Sequence, residues 1–283
     1  MKVLVTGVSG QLGFDMAREL EARGISFLGT SSSDLDVCDR DSVFGTMRLY
    51  RPDAVIHCAA YTKVDAAEED EALCLRVNVD GTRHIAEACA AQNAKVLYIS
   101  TDYVFPGTEN RPWETSDPTR PLNIYGKSKM AGELIVRELV ERHFIVRTSW
   151  LIGEHGSNFV KTMLRLAKTH RELRVVDDQI GSPTFTAHLA PLLCDMAQSE
   201  SCGLYHATNE GFCSWADLAE AVFLRSGKKT AVCRVSTEEY GARAPRPKNS
   251  RLSKKSLDEG GFSRLPAWES SLADYLRVLG INV

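Results

Sequence analysis

Short apolar runs and helical stretches alternate through the first half of the chain. Residues 2–6 carry the continuous apolar pattern of a buried strand, with glycine following. Leu12, Met16, Ala17 and Leu20 recur at helical spacing, and Gly24 stops that helix. Residues 25–28 predict the next strand, 42–50 a helix closed by Arg51-Pro52, and 53–58 a third strand. Residues 72–92 read as mostly helical, 95–100 as a strand apolar on both faces, 128–142 as a helix and 143–148 as a strand. Strands alternating with helices predict right-handed βαβ units. The expected fold class is therefore α/β, a Rossmann-type doubly wound parallel sheet.

Past about Trp150 the rhythm loosens. Residues 159–169 and 215–226 predict helices, and 240–253, with Pro245, Pro247 and several basic residues, predict a loop. With 283 residues, the chain divides into an NAD(P)-binding unit over 1–150 and a smaller α/β substrate unit over 151–283, packed directly on the first. Segments of the second are free to return to the first.

Composition narrows the class. Hydrophobic residues at 43% and charged residues at 25% exclude a disordered chain or coiled coil. A net charge of −3 offers no basic field for nucleic acid or an anionic membrane surface. No apolar run approaches the ~20 residues of a membrane helix, and no secretory signal opens the chain, so a cytoplasmic protein is expected. Eight cysteines without a CxxC are expected to be reduced packing thiols.

Two motifs carry chemistry. Gly7-Val8-Ser9-Gly10-Gln11-Leu12-Gly13 lies between the first strand and the first helix. Glycines there let the backbone approach a diphosphate, and the helix N-terminus supplies N–H donors. The second strand ends Leu28-Gly29-Thr30-Ser31-Ser32, without the carboxylate that usually holds the ribose 2′-hydroxyl of NAD. Short hydroxyls there favour NADPH, with NADH as the alternative. The second motif is Tyr125-Gly126-Lys127-Ser128-Lys129. Tyr125 and Lys129, four apart on a helix, share a face. A phenol is a proton donor for a reduced carbonyl oxygen, and a nearby ammonium stabilises its anion. A surface Tyr–Lys pair is the ordinary alternative. The run Ser100-Thr101-Asp102-Tyr103 ends a strand where open α/β sheets bind ligands, and Thr101 offers a hydroxyl to the same oxygen.

Glycine loop, hydroxyl and YxxxK occur in the order of the short-chain dehydrogenase/reductase superfamily. The likeness narrows further. Ala59-Ala60-Tyr61-Thr62-Lys63-Val64-Asp65, Ser100 to Phe105, Pro121 to Lys129, Arg147-Thr148-Ser149-Trp150, Asn158 to Leu164, Asp178 to Thr184 and Arg246 to Leu252 resemble the dTDP-4-dehydrorhamnose reductase family over nearly the whole chain. The resemblance implies hydride transfer from NAD(P)H to C4 of dTDP-4-dehydro-β-L-rhamnose. It places Gly10, Gln11 and Leu12 on the cofactor diphosphate, Asp36 and Val37 on the adenine side, and Ala60, Tyr61 and Thr62 toward the ribose. It makes Tyr125 the proton donor, Lys129 the ribose holder, Thr101 the partner of the reacting oxygen, and Asp102 and Trp150 sugar-nucleotide contacts. Trp150 as core packing and Asp102 as a turn cap are the alternatives.

A dTDP-sugar carries a diphosphate, so Arg246 and Arg251 are candidate partners, and Lys161 is another, against the alternative of a solvated basic loop. Basic residues are expected to gather at the cleft of this mildly acidic protein. No metal is expected, because Asp15 stands where a longer glutamate would and no acidic cluster has ligand spacing. Monomer and homodimer both stay open. Two other functions fit the same motifs: a nucleotide-sugar epimerase, and a non-catalytic regulatory subunit of methionine adenosyltransferase.

Overall fold

In the computed structural model, which describes residues 1–282, six parallel strands form the central sheet. In chain order the first half gives β1 (Lys2–Thr6), α1 (Gln11–Ala22), β2 (Ser26–Thr30), α2 (Arg40–Tyr50), β3 (Ala54–His57), α3 (Gly81–Gln92), β4 (Lys95–Thr101), α4 (Ile124–Leu139) and β5 (His143–Thr148). The second half adds α5 (Phe159–Leu166), α6 (Thr186–Gln198), β6 (Gly203–His206), α7 (Trp215–Arg225) and α8 (Trp268–Val278). The strand order is β2-β1-β3-β4-β5-β6, so the topology reverses beside β1, where ligands bind in such sheets.

Both faces of the sheet are covered, and side-chain alternation sorts residues between them. Val3, Val5, Ile56 and Leu97 pack with Leu12, Met16 and Leu20 of α1 and with Leu189 and Leu193 of α6. Leu4, Val55, Val96 and Tyr98 face the other way, onto Met47, Ile85, Ile135 and Val136 of α2, α3 and α4. The chain past Trp150 thus contributes α6 to one face of the sheet and β6 to its edge. A third core, holding Ile152, Val160, Phe185, Val222, Phe223 and Leu272, joins α5, α7 and α8 with pairs of short strands.

Three elements differ from the sequence pattern. Residues 72–92 are interrupted by a π-turn at Arg76–Asp80, which turns Asn78 inward. Its amide donates to the Tyr61 carbonyl at 3.0 Å and to Ser128 Oγ at 2.9 Å. Helix α4 starts four residues before the predicted position, because the Asn123 side chain caps Gly126 N at 2.7 Å. Helix α5 ends at Leu166, where the carbonyl of that residue takes the backbone N–H groups of Thr169 and His170 in a closing turn.

Candidate active site

Strand ends, the glycine loop and the start of α4 surround a cavity of about 480 Å³. Gly7, Gly10, Gln11, Leu12 and Gly13 line it on one side, and Thr101, Asp102, Tyr125, Lys129 and Trp150 on the other. Ala60 and Thr62 also reach it.

The glycine loop is tight. A Cβ on Gly13 would sit 2.2 Å from the Gly7 carbonyl oxygen, so only glycine lets α1 begin this close to the loop. A Cβ on Gly10 would meet only the Gly7 oxygen, at 3.3 Å, and would otherwise project into the cavity. No side chain caps the N-terminus of α1. Its free N–H donors and the space over Gly10 fit a dinucleotide diphosphate. A neighbouring cavity, lined by Gly7, Gly10, Ser31, Ser32, Asp36, Val37 and Ala60, continues from the loop along the end of β2. There the Asp34 carboxylate turns back onto Ser31, accepting from its N–H at 2.9 Å and its hydroxyl at 2.6 Å. Asp36 faces Arg76 at 3.7 Å.

Tyr125 and Lys129 project from one face of α4, Lys129 buried and Tyr125 half-buried at the cavity. Burial pushes the Tyr125 phenol well above its usual range, which the neighbouring Thr101 hydroxyl partly opposes. Burial pushes the Lys129 ammonium down to about 7, and Glu133 is the strongest group acting against that. Lys129 Nζ sits 4.0 Å from the centre of the Tyr98 ring. Thr101 Oγ1 donates to Asp102 Oδ1 at 3.0 Å and accepts from Tyr103 N at 3.2 Å. Burial raises the Asp102 carboxyl to about 7, and its Oδ2 is buried without a hydrogen-bond partner. Trp150 is held at φ 49°, the left-handed region that a bulky residue rarely adopts. Its indole stacks on Trp215, with ring centroids 3.6 Å apart.

The whole chain matches known proteins. Residues 1–280 match the model of the RmlD substrate binding domain. A dTDP-4-dehydrorhamnose reductase of Streptomyces griseus is 41% identical over 96% of this chain and 91% of its own. The chain belongs to the dTDP-4-dehydrorhamnose reductase family. The spore coat polysaccharide biosynthesis protein SpsK of Bacillus subtilis is 42% identical over 98% of this chain and 97% of its own. A dTDP-4-dehydrorhamnose reductase from Bacillus anthracis, solved in complex with NADP, superposes with a TM-score of 0.96 at 42% identity, covering 98% of this chain and 99% of that one.

In this member of the reductase family, several anticipated residues stand apart from the main cavity. Tyr61 is anchored through its backbone to Asn78 and does not line the cavity. Asp36 and Val37 line the neighbouring one. Arg246 forks onto Asp65, with contacts of 2.6 and 3.0 Å, and stands behind Tyr103. Arg251 bonds Asn249 at 2.7 Å and Asn110 at 3.2 Å. Lys161 donates to the carbonyls of Glu154 and Gly156. Among the described residues lining the main cavity, Lys129 is the one lysine or arginine, so basic residues do not gather in its walls as expected.

The cavity also holds residues to which the motifs gave no role. Trp215, Ser157 and Asn158 line it from the second half. The Gln11 side chain is turned away from the loop's phosphate side. Its Oε1 accepts from Gly153 N at 2.8 Å and Asn158 Nδ2 at 3.1 Å, tying the glycine loop to the second half. The hydrophobic spacing around Trp215 signalled a helix and gave no sign that its first residue faces the cavity.

Proposed function

We propose that this protein reduces the 4-keto group of a dTDP-linked 6-deoxy-4-keto sugar, dTDP-4-dehydro-β-L-rhamnose, to give dTDP-β-L-rhamnose. Bound NADPH supplies the hydride to C4. The observation that carries the reading is the meeting of Tyr125, Lys129 and Thr101 with the glycine cradle in one cavity of a chain whose full length matches this family. Gly10, Gln11 and Leu12 hold the diphosphate through backbone N–H groups, and Gly7 and Gly13 shape the loop. Asp36 and Val37 border the adenine, and Ala60, Tyr61 and Thr62 form the turn toward the ribose. The short hydroxyls Ser31 and Ser32 support NADPH over NADH, and the Bacillus anthracis relative binds NADP.

Tyr125 serves as the proton donor. A phenol raised by burial stays protonated at neutral pH and is available when charge develops on the C4 oxygen. Lys129, in the same buried space, stabilises the phenolate left behind and binds the nicotinamide ribose. The Thr101 hydroxyl orients the C4 oxygen. Asp102, with a buried oxygen lacking a partner, accepts from a sugar hydroxyl, and Trp150, stacked on Trp215 along one face, lines the cavity as a sugar contact. Arg246 and Arg251 reach the sugar-nucleotide diphosphate by leaving their present partners. The eight free thiols suit a reducing compartment, and we place the enzyme in the cytoplasm as a monomer or homodimer.

Incubation with NADPH and enzymatically made dTDP-4-dehydrorhamnose tests this. One NADPH consumed per dTDP-rhamnose formed is expected. Sugar conversion without net loss of absorbance at 340 nm would instead mark an epimerase, and faster reaction of a UDP- or GDP-linked keto sugar would overturn the substrate.

A further inference from the structure

Helix α4 carries a third inward polar residue on the face of Tyr125 and Lys129. Glu133 follows Lys129 at the same four-residue step and is only 3% exposed. Both of its carboxylate oxygens are held. Oε1 accepts from Ser100 Oγ at 2.5 Å and from Arg147 Nε at 2.8 Å, and Oε2 from Arg147 Nη2 at 2.7 Å. Arg147 is equally buried. Ser100 immediately precedes Thr101 at the end of β4, and Arg147 stands three residues before Trp150 at the end of β5. One carboxylate therefore joins α4 to the two strand ends that carry the cavity residues.

Stability alone gives little reason for this arrangement. A buried ion pair can often be replaced by apolar groups of similar volume at no loss. The neighbouring ammonium supplies another reason. Among the described residues no carboxylate forms an ion pair with Lys129 directly. The groups facing it are the Tyr98 ring, Cys58, Cys74, His57 and Tyr125, together with Glu133 on its own helix. Of these, Glu133 is the carboxylate. The groups around Glu133 are Ser100 and Tyr98 of β4, Arg147 of β5, and Lys129. His206 of β6 touches Arg147, and Asp117, Arg137 and His143 lie on the outer side.

We infer that Glu133, locked by Ser100 and Arg147, is a positioning residue for the reaction: its carboxylate is the counter-charge of the Lys129 ammonium and fixes α4 against the ends of β4 and β5. The inference rests on the reductase reading for its effect on turnover. Removing a neighbouring negative charge lets an ammonium lose its proton at lower pH. Activity that needs the ammonium is then lost earlier as pH rises.

Glu133→Gln keeps the shape and an acceptor for Ser100 but removes the charge. The alkaline limb of its kcat–pH profile is expected to fall lower by about one pH unit, and Glu133→Asp to restore most of it. The pH dependence of NADPH affinity, read by cofactor fluorescence without any sugar, is expected to move the same way. Superimposable profiles for wild type and Glu133→Gln would overturn the inference. Glu133→Gln leaves Arg147 without a counter-charge, and a variant that does not fold is replaced by Glu133→Gln/Arg147→Met, which removes both charges. A smaller shift in the same direction is expected there, and an unshifted profile overturns the role. A wild-type protein that binds NADPH but reduces no keto sugar defeats the reductase reading alone, and the binding profile still decides the role of Glu133.

Discussion

Tyr125→Phe separates chemistry from architecture. The half-buried ring lies beside Tyr103, edge to face with centroids 5.8 Å apart, and phenylalanine keeps that packing. Only the hydroxyl goes. A buried hydroxyl with one neighbouring partner contributes at most ~1 kcal/mol to stability, so the melting temperature should move by a few degrees or less. Turnover should respond on a different scale. General acid catalysis is worth ~10²–10⁴-fold, or about 3–5 kcal/mol at ~1.4 kcal/mol per decade. The assay is NADPH oxidation at 340 nm with saturating sugar, alongside NADPH affinity by fluorescence and a thermal melt. A loss of two or more decades in kcat with affinity and melting preserved is expected. A loss under tenfold would refute the donor role, and a parallel loss of NADPH affinity would show that the hydroxyl serves binding instead.

Three further outcomes follow from the geometry. Gly10→Val places a branched side chain in the space over the glycine loop, and NADPH Kd should rise by at least tenfold with a near-normal melting temperature; an unchanged Kd would remove the diphosphate from that cradle. Trp215→Ala removes the partner stacked on Trp150, so KM for the sugar nucleotide should rise several-fold while NADPH Kd stays fixed, measured by steady-state kinetics and fluorescence. His206 is buried and held down to about 3, chiefly by burial and then by the Arg147 charge. Its folded pKa lies below its unfolded value near 6.5, so its stabilising effect is full above pH 6.5 and lost as pH falls toward 3. The stability advantage of wild type over His206→Gln should shrink across that window by up to ~1.4 kcal/mol per pH unit, read by urea unfolding, and a constant difference would contradict it.

The first half was legible because its strands are covered on both faces. β1, β3 and β4 must be apolar at successive positions, and such runs stand out between amphipathic helices. Two of the three strand pairs in the second half, such as Leu151–Ile152 with Thr184–Phe185, are two residues long, too short to show any period, and the third, Glu172–Val176 with Ala231–Val235, is largely unburied and lacks a continuous apolar run. The π-turn at Arg76–Asp80 has no period of its own either, and only the partners of Asn78 explain it. Within the site, Tyr125, Lys129, Thr101 and the glycines sit in contiguous motifs whose spacing carries the chemistry. Trp215 reaches the cavity from a distant helix start, through packing that no local pattern encodes, and Asn158 stands in a motif run that gave it no role there. By spacing alone Glu133 is one more charge on an amphipathic helix, and its burial depends on Arg147 arriving from a separate strand. The resting partners of the basic loop were not legible either. Arg246 and Arg251 have ready partners in Asp65, Asn249 and Asn110, and loop sequence does not reveal such pairings.

The most direct test of the central claim follows the hydride. With C4-deuterated NADPH carrying the label in the transferred position and dTDP-4-dehydrorhamnose as the acceptor, the dTDP-rhamnose formed should be one mass unit heavier. Its deuterium should sit at C4 of the sugar by NMR, with one oxidised cofactor per labelled product. An unlabelled product, or a sugar converted with no cofactor oxidised, would contradict the account.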